Sequence, residues 1–148
     1  MLKFIYRRDI SKQNHGWNVV IEIDPSVRCY FSDREYGGKA ESLIAAVKFR
    51  NETLTKYNIP FIENRRISLK PRSTNLTGVT GVCLSGDYYH GYFPVEENII
   101  LRRKFSLNTH GEPQAFRKTV EWRLRLETAV YGFTIVPQKV RSSLGLSS

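Results

Sequence analysis

Cysteine is scarce in this chain. Only Cys29 and Cys83 occur in 148 residues, too few for a disulfide framework. Both stand in apolar, strand-like stretches and are expected to be buried thiols in a reducing compartment. The three histidines, His15, His90 and His110, fall in or near turns. None has a Cys or His partner at ligand spacing, which argues against zinc. No Ser, Asp or Cys arrangement beside them builds a triad, and no phosphate loop is present. The sequence therefore reads as a protein that is not an enzyme and needs no cofactor or metal. No apolar run is long enough to cross a membrane, and the apolar part of Met1–Arg8 is too short for a signal peptide. A cytoplasmic location is expected.

Acidic residues are also in deficit. There are 14 Asp and Glu against 23 Lys and Arg, a net charge of +9. That balance favours an anionic partner, nucleic acid before a membrane surface. The surplus is uneven in density. Residues 1–60 carry 10 basic and 7 acidic groups, residues 61–75 carry 4 and 1, and residues 76–148 carry 9 and 6. The short middle segment thus equals each flank in net charge. It reads as a basic linker holding Arg65, Arg66, Lys70 and Arg72. Phe61, Ile62 and Ile67 in the same stretch could form a short strand or pack on what precedes them. Aromatic residues at 12% and frequent β-branched ones exclude global disorder.

Two stretches repeat one pattern. Tyr30-Phe31-Ser32-Asp33 is followed by Tyr36-Gly37-Gly38 and an amphipathic run to Phe49-Arg50. Lys104-Phe105-Ser106-Leu107 is followed by His110-Gly111 and a run to Trp122-Arg123. Upstream of the first, residues 2–8, 17–23 and 27–31 alternate as strands, with Trp17, Val19, Ile21 and Ile23 on one face. Asp24-Pro25-Ser26 supplies a hairpin turn. Upstream of the second, Thr77–Leu84, Tyr88–Val95 and Ile99–Phe105 read as strands. Helices are expected over 39–57, with Leu43, Ala46, Val47, Arg50 and Leu54 on one stripe, and from Pro113 to about Ala129. Residues 131–140 suggest a late strand, and Arg141–Ser148 a frayed tail. Arg50 and Arg123 occupy equivalent apolar-stripe positions, where the stem would pack with the head at the rim. Trp17 and Trp122 are expected in the core. The expected class is α+β. Its two repeated units, 1–60 and 76–148, each form a three-stranded antiparallel sheet backed by one helix, joined by the linker 61–75.

The order of three strands and a helix resembles the APETALA2/ethylene-response-factor type of DNA-binding domain, as two divergent tandem copies of bacterial or phage type. The matching residues are Trp17, Phe31-Ser32, Tyr36-Gly37-Gly38, Ala45-Ala46 and Phe49-Arg50 in the first copy. In the second they are Gly81-Val82, Phe105-Ser106, Gly111, Ala115 and Trp122-Arg123. The resemblance implies that the helix backs the sheet and that the outer sheet face enters the major groove. Carried onto this chain, the DNA-facing positions would be Arg7, Arg8, Asn18, Arg28 and Tyr30, then His90, Tyr92, Arg102 and Lys104. Strand alternation turns Arg103 toward the helix side or the edge. Double-stranded DNA is thus the expected partner, with the linker cations adding phosphate contacts. Two departures keep a second reading open. Val82 is followed by the neutral Cys83-Leu84-Ser85, and Val20 and Glu22 face outward where cations would be expected. The alternative is a phage-encoded, anti-CRISPR-like inhibitor that holds a host nucleoprotein or nuclease by protein–protein contacts. A fragment of a larger nuclease or integrase is the third and weakest reading.

Overall fold

A computed structural model describes residues 2–61, 75–96 and 98–146. The chain divides into two compact units, Met1–Arg65 and Arg66–Ser148. The class is α+β, with a three-stranded antiparallel sheet followed by a helix in each unit.

In the first unit, β1 (Ile5–Asp9), β2 (His15–Ile21) and β3 (Val27–Ser32) lie in sequence order. Trp17, Val19 and Ile21 point to one face of β2 and are buried, because alternation puts them beside Ile5 and Phe31. The strand begins two residues before the expected Trp17 and stops at Ile21, short of Ile23. A four-residue helix, α1 (Asp33–Tyr36), ends at Gly37 in the left-handed region, a conformation that glycine adopts without steric cost. The main helix α2 (Lys39–Lys56) then packs on the sheet. Its buried stripe includes Leu43, Ala46, Val47, Arg50 and Leu54, as the helical period requires. The Trp17 indole N–H donates to the Lys39 carbonyl at 3.0 Å, tying β2 to the start of α2.

The second unit repeats the plan with β4 (Val82–Ser85), β5 (Tyr88–Glu96), β6 (Ile99–Ser106), α3 (Leu107–His110) and α4 (Gln114–Tyr131). Its core gathers Val79, Val82, Tyr89, Ala115, Val120 and Val136. The Tyr89 hydroxyl donates to Glu112 at 2.6 Å. Burial first, then that hydrogen bond and the carboxylate charge, push its pKa up to about 12.

Three segments of the second unit depart from the pattern expected of them. The stretch from Thr77 is a strand only from Val82. Gly78 and Gly81 both take positive φ, and the Asn75 carboxamide accepts from the Thr77 and Gly78 amides at 2.9 and 3.0 Å. This side-chain turn replaces ladder bonds. Residues 131–140 are not a late strand. Gly132 caps α4, the Glu127 carboxylate accepts from the Ile135 amide at 2.7 Å, and Pro137 leads into helix α5 (Gln138–Ser143). Nor is the tail frayed up to Leu146. Leu144 and Leu146 pack on the core, and the Arg117 guanidinium donates to the Leu144 carbonyl at 2.9 Å.

The helix arginines are structural, but their heads are buried rather than at the rim. Arg50 is 1% exposed, donates to the Lys3 carbonyl at 3.0 Å, and lies 4.6 Å over the Phe61 ring. Phe61 therefore packs on the first unit. Arg123 is 2% exposed. It pairs with Glu127, donates to the Tyr92 carbonyl and sits 4.9 Å over Phe93.

The strand registers align the two units residue by residue. Trp17 pairs with Phe31 and Arg7, and Tyr89 pairs with Phe105 and Leu84. Arg28 therefore corresponds to Arg102, Tyr30 to Lys104, and Gly16, Asn18 and Val20 to Tyr88, His90 and Tyr92. At the point equivalent to Val19 stands Gly91, where a Cβ would come within 2.7 Å of the Trp122 ring. Gly91 lets Trp122 lie against the sheet. Gly91→Ala should destabilise the second unit by about 1–3 kcal/mol through overpacking. Chemical denaturation measures this, and an unchanged midpoint would contradict the packing described.

Candidate nucleic-acid interface

Alternation sends one set of side chains from each sheet away from its helix. In the second unit these are Cys83 and Ser85 on β4, Tyr88, His90 and Tyr92 on β5, and Arg102, Lys104 and Ser106 on β6. They form an aromatic row bordered by cations. The Tyr88 and His90 ring centroids are 6.2 Å apart, as are those of His90 and Tyr92, the latter pair within 15° of parallel. The Lys104 ammonium lies 4.6 Å from the Tyr88 centroid, and the Arg102 guanidinium 5.9 Å from that of Tyr92. Such cation–π contacts are worth about 0.5–1 kcal/mol at exposed sites. They hold each cation over the row while leaving N–H donors for another acceptor. Burial, then the nearby Cys83 thiol, raises the Tyr92 pKa.

In the first unit the outer face holds Tyr6 and Arg8 on β1, Gly16, Asn18 and Val20 on β2, and Arg28, Tyr30 and Ser32 on β3. A Cβ on Gly16 would fall 2.7 Å from Tyr30 ring atoms, so the ring lies across that glycine. The Arg8 guanidinium is 5.6 Å from the same ring's centroid. Each unit therefore carries an arginine at the same β3/β6 position, Arg28 or Arg102, and a cation over a tyrosine at the same end of the sheet. The ring and the cation come from different strands in the two units.

Arg7 does not belong to this face. It shares the helix side with Ile5 and Trp17, its guanidinium 4.9 Å from the Trp17 ring centroid. Two of its nitrogens bind the Asp33 carboxylate at 2.9 and 2.5 Å, and its Nε reaches Asp9 at 3.1 Å. Its side chain is 7% exposed. Expecting Arg7 and Arg8 on one face conflicts with the two-residue period of a strand. Arg103 is on the helix side as alternation requires, 5.2 Å over Phe105 and solvent-exposed. The linker residues Arg65, Arg66, Lys70 and Arg72 lie outside the described residues. Tyr6 and Tyr88 join the outer face beyond the residues expected there, and the same alternation that selects Arg8 and His90 selects them. Both cysteines are free and partly exposed rather than buried. Cys83 is on the outer face, Cys29 on the helix side.

The acid that holds Arg7 is tuned by its surroundings. Burial pushes the Asp33 carboxyl up, but hydrogen bonds from Arg7 and Ser42 and the guanidinium charge outweigh it, so its pKa lies below the usual value. Ser42 Oγ donates to Asp33 at 2.6 Å. A folded-state pKa below the unfolded one stabilises the fold above the unfolded value, and that stabilisation is lost as pH falls through the folded one. Asp33→Asn should therefore cost the first unit about 1–3 kcal/mol at neutral pH. The difference from wild type should shrink in acid. Urea denaturation at both pH values checks this, and a pH-independent difference would contradict it.

Among the described residues, no group of three or more His, Cys, Asp or Glu could hold a metal ion. No family model matches the chain, and no curated protein or solved structure is detectably similar to it.

Proposed function

We propose that this protein binds double-stranded DNA through the outer faces of its two sheets, with no catalytic step. The carrying observation is that both units place an arginine at one equivalent strand position, Arg28 and Arg102, and a cation over a tyrosine at the same sheet end. A small twisted sheet fits the major groove, where an arginine can pair with guanine edges. The remaining cations suit phosphates, and the net charge of +9 favours encounter with a polyanion. This reading agrees with the APETALA2-type resemblance. The basic segment between the units would add phosphate contacts, and tethering two weak binders raises affinity through effective concentration.

A second reading rests on a specific observation. Ile100, 38% exposed, shares the outer face with Tyr88 and Arg102. Tyrosine and arginine beside an exposed apolar residue also suit a protein interface. On this reading the protein would inhibit a host nucleic-acid enzyme.

Anisotropy titrations with duplex DNA across a salt series decide between the two. DNA binding predicts a steep log–log salt dependence, and each of Arg8→Gln, Arg28→Gln, Arg102→Gln and Lys104→Gln that removes a phosphate contact should lower its slope by about 1. No duplex binding, together with a stoichiometric protein partner that survives nuclease treatment, would favour the inhibitor.

A further inference from the structure

The two sheet faces differ where their registers are equivalent. At three outward positions of the central strand the first unit has Gly16, Asn18 and Val20, and the second has Tyr88, His90 and Tyr92. One face carries no ring on its central strand, while the other carries three in succession. Tyr88 is 38% exposed, and His90 and Tyr92 are half-buried. Arg102 and Lys104 run beside the row on β6, and the neutral Cys83 and Ser85 run along its other side on β4. None of these face residues is a carboxylate.

Resting on the duplex-binding reading above, we propose that the second unit's face takes unpaired bases, so that the preferred ligand is duplex DNA adjoining a single-stranded segment. In a paired duplex the base faces are stacked on each other, and a groove displays only edges and backbone. A row of three rings therefore has no stacking partner in a duplex groove. Unpaired bases present their π faces, and a groove that stacks them on aromatic side chains while cations track the phosphates is the general solution for single strands. The Tyr88–His90–Tyr92 row supplies the rings, and Arg102 and Lys104 supply the charge. The first unit has the complementary equipment. Arg8, Arg28 and Asn18 offer donors to phosphates and base edges, and its two outward rings, Tyr6 and Tyr30, come from the flanking strands and form no row along the central one.

The test uses the full chain and three probes at one salt concentration: a blunt duplex, the same duplex with an unpaired oligothymidine extension, and oligothymidine alone. The extended duplex should bind more tightly than the blunt one. Tyr88→Leu and Tyr92→Leu keep side-chain bulk and remove the ring. Each should lose roughly fivefold or more extra affinity on the extended probe relative to the blunt one. Tyr88→Phe and Tyr92→Phe, which keep the ring, should not show that extra loss. Arg28→Gln should weaken both duplex probes in equal proportion. Equal affinity for blunt and extended duplexes, or equal losses on both probes in the Leu variants, would overturn the inference while leaving duplex binding intact. Absence of binding to any duplex would instead sink the reading it rests on. Should the Leu variants not fold, an iodouracil-substituted extension photocrosslinked to the wild-type chain gives the same answer. Adducts on Tyr88 or Tyr92 support the proposal, and adducts confined to other residues contradict it.

Discussion

A buried arginine on each main helix holds the helix to its sheet. Arg50 and Arg123 are almost without solvent contact, and each donates to a main-chain carbonyl of the strand region, Lys3 or Tyr92. A cation in such a place is costly unless its donors are satisfied. Its geometry is therefore demanding, and the surrounding residues comply. Gly81 has positive φ and no Cβ, and a Cβ there would stand 2.7 Å from the Arg123 guanidinium. Phe61 and Phe93 cover the planes of the two guanidinium groups. This arrangement closes the inner face of each sheet with its own helix.

The two units solve the same packing problem with different chemistry. At the end of β1 the first unit pairs Arg7 with Asp33, whereas the equivalent positions in the second are Leu84 and Leu107. The ion pair of the first unit thus has two leucines at its equivalent positions, Leu107 packed on the core and Leu84 49% exposed. The aromatic pairs persist through the change. Phe31 meets Tyr36 at 5.6 Å, and Phe105 meets His110 at 6.0 Å. The outer faces differ on their central strands, where Gly16, Asn18 and Val20 stand against Tyr88, His90 and Tyr92, and agree at Arg28 and Arg102.

Most of the scaffold was legible in the sequence because it rests on local periodicity. The strand alternation of Trp17, Val19 and Ile21, the stripe of α2 and the left-handed Gly37 each follow from neighbours along the chain. What escaped depended on partners distant in sequence or on side chains that rewrite the backbone. Arg7 reads as one of two exposed cations until Asp33, 26 residues away, is placed against it. The Thr77–Gly81 stretch looks extended until Asn75 claims its amides. Residues after Gly132 read as a strand because nothing local reveals the Glu127 carboxylate that folds them back. On the candidate interface, Arg8, Arg28, Tyr30, His90, Tyr92, Arg102 and Lys104 were readable from alternation and the family resemblance. The Tyr88 ring under Lys104 and the Tyr30 ring across Gly16 needed the cross-strand register.

The claim that the outer sheet faces meet DNA is tested most directly by mapping backbone amide chemical shifts of the labelled protein during titration with a short duplex. Outer-face binding predicts perturbations concentrated on alternate residues of β1–β3 and β4–β6, including Arg8, Asn18, Arg28, His90, Arg102 and Lys104, with the buried stripes of α2 and α4 little affected. Perturbations centred on the helices, or none as duplex is added, would contradict it.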